Sequence, residues 1–142
     1  MSDTCDEDLK RMCESIKDDL EELVYGARFD VENARIVDPD ASNEENGFEE
    51  DEEIDWDDTD RFQDLYSYLN DNYGVKVMTD LQKETVYYTE ICMAWGGPNI
   101  YIDTGEQAVC GYWGCGRYQA YLSNKAIDEI NEVVEDWFGC YR

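Results

Sequence analysis

The stretch TVYYTEICMAWGGPNIYIDTGEQAVCGYWGCGRYQAYL, from Thr85 to Leu122, decides the fold. Residues 85–95 are rich in β-branched and aromatic side chains, which suit a pleated, half-buried surface. Gly96-Gly97-Pro98-Asn99 breaks the run as a turn. Ile100 to Asp103 reads as the next strand, and Thr104-Gly105-Glu106-Gln107 as a tight reversal. Ala108 to Trp113 is a further strand, Gly114-Cys115-Gly116-Arg117 a further turn, and Tyr118 to Leu122 a last edge strand. Upstream, Val75-Lys76-Val77-Met78 is short and alternating. Strands separated by little more than turns predict an antiparallel meander of about four to five strands in the C-terminal half.

Three helical patterns flank this region. Leu9, Met12, Cys13, Ile16, Leu20, Leu23 and Val24 recur at spacings of three and four, the stripe of an amphipathic helix over about 5–26. Asp6, Glu7 and Asp8 fall in its first turn, where the helix dipole favours negative charge. Phe62, Leu65, Tyr66, Leu69 and Tyr73 mark a second helix over about 59–73, capped by Asp58 or Thr59. Ile127, Ile130, Val133, Val134, Trp137 and Phe138 mark a third over about 124–138, capped by Ser123 or Asn124. Between the first two, residues 28–37 read as a short extended piece. The simplest packing is a single α+β domain over 1–142, with the helices on one face of the sheet.

Charge is the other distinctive property. The 142 residues include 36 Asp+Glu, 11 Lys+Arg and no His, a formal net charge of −25. Residues 38–60 hold thirteen acids and no base, so about half the net charge sits in 23 residues. Such a composition argues against a nucleic-acid ligand held in a basic groove, because phosphates are repelled. It argues equally against docking on an anionic membrane. Yet hydrophobic residues make up 42% and aromatics 13%, unlike a disordered acidic chain. The acid therefore decorates something that folds. Glu49-Glu50-Asp51-Glu52-Glu53 is a block of like charges of the kind that is solvated and mobile, within a loop over about 38–58. Phe48, Ile54 and Trp56 interrupt it and offer anchors to the body.

Other chemistries match poorly. Asp38-x-Asp40-x-Ser42 opens like an EF-hand loop, but Asn43 stands where a glycine is needed, and Glu49, at the twelfth position, lacks the flanking helices. Cys110 and Cys115, with Cys92 and Cys140, lack the CxxC and His spacing of zinc sites. No metal or other cofactor is expected. Glu90 and Asp103, on neighbouring strands, are the one carboxylate pair that suggests catalysis. Such pairs usually just face solvent. The glycine turns are not phosphate cradles, since no lysine-bearing helix follows. The segment Gly111 to Tyr118 is either a binding patch or one lining of the core. The acidic start has neither the basic end nor the apolar stretch of a secretory signal, and no apolar run approaches 18 residues. The reading is a cytoplasmic protein, in the host cell if phage-encoded, with its six cysteines mainly reduced. Cys110 and Cys115 could still form a redox-sensitive pair across their turn.

Small size, high acidity, a folded α+β body and no signal resemble the DNA-mimic inhibitors of phages and mobile elements. These include anti-restriction proteins, anti-CRISPR proteins and the phage inhibitor of uracil-DNA glycosylase. The resemblance lies in charge and architecture over the whole chain. It implies a non-enzymatic inhibitor that fills the basic groove of a host defence nuclease. Two phosphates per base pair make −25 equivalent to about 12 base pairs of duplex. The expected contact residues are Glu44, Glu45, Glu49, Glu50, Asp51, Glu52, Glu53, Asp55, Trp56, Asp57 and Asp58, with Asp18, Asp19, Glu21 and Glu22 of the first helix. An immunity or antitoxin protein against a basic nuclease toxin shares that surface. A carboxylate or metal-dependent enzyme, and general adaptation to high salt, are further alternatives. A homodimer is compatible with the sequence.

Overall fold

The structure is a computed structural model, and it describes residues 3–114 and 116–139. The chain runs α1 (Asp3–Leu23), β1 (Arg28–Asp30), β2 (Arg35–Val37), β3 (Phe62–Gln63), α2 (Leu65–Asn70), β4 (Gly74–Thr79), β5 (Val86–Ala94), β6 (Asn99–Asp103), β7 (Ala108–Trp113), β8 (Gly116–Tyr121) and α3 (Asn124–Gly139). It is an α+β fold with two antiparallel sheets. The larger is the expected meander in the C-terminal half, with strands in the order β4-β5-β6-β7-β8.

Register sorts its side chains. Val75, Ile91, Ile102, Val109 and Ala120 lie in one row across the five strands; Val75, on the edge strand, is exposed, and the other four are buried in the core. α1 lies over β7 and β8, and α3 over β5, so these helices bury that face. Every member of the α1 stripe predicted from spacing packs into this core. Gly111 lets α1 approach: a Cβ there would stand 2.5 Å from Cys13 Sγ and 2.7 Å from Leu9 Cδ1. Burial raises the Cys13 thiol to about 11, with Cys110 and Glu14 adding to the effect, so it packs as a small apolar group. Cys13, Cys92 and Cys110 are free thiols. Cys115 and Cys140 lie outside the described residues, and with them the proposed Cys110–Cys115 pair.

The second helix differs from its expected span of 59–73. Phe62 is drawn into β3 against β1, and Asp64 caps the shorter α2 by accepting the Ser67 N–H at 2.9 Å. At the far end, the Tyr73 N–H donates to Cys92 O at 2.8 Å and leads directly into the sheet. Tertiary partners at both ends outcompete the helical pattern. The piece at 28–37 is a hairpin, β1 with β2, in a three-stranded sheet ordered β2-β1-β3. Asp30, fully buried, holds its turn: Oδ1 accepts the Glu32 N–H at 3.1 Å, and Oδ2 accepts Asn33 Nδ2 at 2.7 Å. Ser123 caps α3, its Oγ accepting the Ala126 N–H at 3.2 Å.

The small sheet has two jobs. Phe29 and Ile36, cross-strand partners, pack on the main core. Val37 and Phe62, on the opposite face, belong to a second apolar cluster with Phe48, flanked by Ile54 and Trp56. The sheet therefore joins the body to the acidic segment.

The acidic segment as candidate functional site

The acidic segment is built around three aromatic rings. Phe48 meets Phe62 edge to face at 6.1 Å between centroids and Trp56 at 6.3 Å, while Trp56 and Phe62 lie 4.8 Å apart. These are the anchors the interrupting apolar residues suggested, and Phe62 completes them from outside the segment. Two arginines close the cluster from below. The Arg35 guanidinium sits 5.4 Å from the Phe48 centroid, and that of Arg61 lies 4.7 Å from Phe62 and 5.7 Å from Phe48. Gly47, at φ +82°, makes room: a Cβ there would stand 2.5 Å from Arg35 Nη1.

Two asparagines fix the path of the backbone. Asn46 is buried and pairs reciprocally with Asp38, donating Nδ2–H to its carbonyl at 2.7 Å and accepting its N–H at 2.9 Å. Asn43 Nδ2 reaches the carbonyls of Glu52 at 2.7 Å and Glu49 at 3.0 Å. That gathers the Glu49–Glu53 block over its own backbone, so the segment follows a defined series of turns. Sequence reasoning missed both asparagines. Their only signal was a position between turn residues and acids.

The result is a one-sided distribution of charge. All thirteen carboxylates at 38–60 are exposed, whereas Asn46 and Phe48 are buried and Ile54 and Trp56 half-buried. Among the described residues, none of the thirteen makes an ion pair. Arg61 instead reaches Glu32 at 2.6 Å and Asp30 at 3.6 Å. Closely spaced carboxylates without counter-charge create a strong negative potential.

The α1 residues expected to join this surface divide into two kinds. Asp18 and Glu22 are exposed, and Asp18 also approaches Lys17 at 3.5 Å. Asp19 is half-buried and accepts the Tyr68 hydroxyl at 3.1 Å, tying α1 to α2. Burial pushes its carboxyl up to about 6, with the Tyr68 hydrogen bond opposing and Asp18 adding. Glu21 accepts both the backbone N–H and the hydroxyl of Ser123, and so clamps the start of α3. Asp19 and Glu21 thus hold the body together.

The other candidates fall elsewhere. Asp38 Oδ1 accepts the Asp40 N–H at 2.9 Å, a turn-stabilising role. No group of three or more Cys, Asp or Glu is arranged to hold a metal ion among the described residues. Glu90 does stand opposite Asp103 across β5 and β6, but Asp103 Oδ1 is engaged by the N–H groups of Gly105 and Glu106. The aromatic segment at 111–118 splits by strand alternation. Trp113 and Tyr118 pack on the core, Tyr112 faces the other way, and the Tyr118 hydroxyl donates to Glu14. No helix among the described residues is long and apolar enough to cross a membrane. Comparison with family models, curated proteins and solved structures finds no match to this chain.

Proposed function

We propose that this chain is a non-enzymatic acidic inhibitor that occupies the basic nucleic-acid groove of a host defence nuclease, of the restriction or CRISPR type. One observation carries the reading: thirteen exposed carboxylates, none of them ion-paired among the described residues, stand on a segment held by its own aromatic cluster. A pre-ordered array loses less conformational entropy on binding than a mobile tail. A Lys/Arg groove steers such an array in at long range, and guanidinium groups then pair with its carboxylates. Inhibition follows from occupancy, with no chemistry on either side. The contact is assigned to Glu44, Glu45, Glu49 to Glu53, and Asp55 to Asp58, with exposed Asp18 and Glu22 as outlying charges.

Immobilised protein should capture a basic nuclease from a host lysate at low salt and release it as salt rises. The released enzyme should have its cleavage blocked at a stoichiometric ratio, and duplex DNA should compete for it. A captured nuclease that keeps full activity in the complex contradicts the proposal.

A further inference from the structure

The face of the larger sheet turned away from α1 and α3 carries a groove far in sequence from the acidic segment. Register places Cys92, Tyr101 and Cys110 side by side in one row across β5, β6 and β7, with Glu90 beside Asp103 in the next. Cys92 and Cys110 are buried and form a low floor. Tyr101 and Tyr112 rise beside them, their rings edge to face at 6.3 Å. Two clefts of about 440 and 330 Å³ adjoin here and share Tyr101 and Glu90. Glu90 is half-buried, and its carboxylate makes no hydrogen bond or ion pair among the described residues. Lys76 on β4 stands directly opposite Glu90 and Arg117 on β8 directly opposite Tyr112, yet neither makes an ion pair with Glu90.

The arrangement selects a cation with a flat face. Tyrosine ring faces attract positive charge, and the Glu90 carboxylate beside them supplies the acceptor. Guanidinium fits both demands, because it stacks on rings and presents a fork of N–H donors to a carboxylate. Burial first, then Cys110 and the carboxylates of Asp103, Glu106 and Glu90, push the Tyr112 phenol up, and those carboxylates supply the negative field here. A stacked nucleobase would bring a phosphate into that field, and a second copy of the chain would bring a further −25. We propose that this groove is a docking site for an arginine side chain on an extended basic segment of a protein partner, stacked on the Tyr101–Tyr112 pair and joined to Glu90. The site stands whether or not the acidic segment imitates nucleic acid.

The test is an amide NMR titration of the intact protein with blocked Gly-Arg-Gly at physiological salt, set against the same peptide with citrulline or lysine. Arginine should shift signals of β5, β6 and β7, with the isosteric but neutral citrulline binding about tenfold or more weakly. Glu90→Gln should weaken arginine binding about tenfold with the fold unchanged, and Tyr112→Thr should do likewise. Replacing Glu49, Glu50, Asp51, Glu52 and Glu53 by their amides should leave these shifts in place. The proposal is overturned if citrulline binds as well as arginine, if Glu90→Gln has no effect, if the shifts follow the acidic segment, or if millimolar peptide moves nothing.

Discussion

Asp19 carries a burden unlike that of the other carboxylates. Its folded pKa, about 6, lies above its ordinary value, so the folded state holds its proton more tightly than the unfolded chain. The stability from that proton is complete below about pH 4 and is lost as pH rises through about 6. Asp19→Asn keeps a neutral partner for Tyr68 without the buried charge. The variant's melting temperature should therefore exceed wild type above pH 6, and the gap should close towards pH 4. A gap that does not vary with pH would show that Asp19 titrates normally. Phe62 makes the second prediction at this scale. It is 1% exposed and touches Phe48, Trp56 and the guanidinium of Arg61. Phe62→Ala should cost about 3–5 kcal/mol in urea unfolding, unless the segment detaches first. In that case amide exchange would rise across residues 43–58 before it rises in the main sheet.

Two elements pack closely at Gly111, where α1 meets β7. Gly111→Val would push a branched side chain into Cys13 and Leu9. The expected loss is about 1–3 kcal/mol or more, seen as a lower urea midpoint and faster exchange in α1. Wild-type stability would mean that α1 sits further from the sheet. Elements of this kind were legible in the sequence because local pattern and tertiary need agree there. The α1 stripe, the meander and the Ser123 cap each follow from a period of 3.6, a period of 2 or a polar residue before an apolar run. Phe62 shows where legibility ended. Its spacing to Leu65, Tyr66 and Leu69 is helical, but its partners are Phe48 and Trp56, which no local period connects to it. The β1–β2 hairpin was hidden for a related reason. Three-residue strands are too short to display alternation, and the Asp30 carboxylate that holds the turn resembles any other acid. The candidate site was legible in its charge and in its apolar anchors. Its ordering was not, since Asn43 and Asn46 act through backbone carbonyls and amides that only the folded path brings near. The same holds for Asp19 and Glu21, whose structural duties depend on Tyr68 and Ser123, about 50 and 100 residues away.

For the whole molecule, the division of labour follows from where charge and apolar residues fall. The helix-covered sheet supplies the stable body. The small sheet uses one face to join that body and the other to seat the acidic segment. Exposed carboxylates repel one another, and the buried rings beneath the array, the arginines against them and the Asn43 and Asn46 hydrogen bonds oppose that repulsion. Added salt should therefore raise the intrinsic stability of the isolated protein by screening that repulsion, while weakening its grip on a basic partner. Melting temperature and partner affinity, measured from low to physiological salt, should move in opposite directions, whereas movement together would leave the charge array without its assigned role. The most direct measurement of that role reverses Glu49, Glu50, Asp51, Glu52 and Glu53 to lysine and compares inhibition of the captured nuclease with wild type. An unchanged circular dichroism spectrum, with inhibition lost, is the predicted result. Full inhibition by the folded, charge-reversed protein would contradict the account.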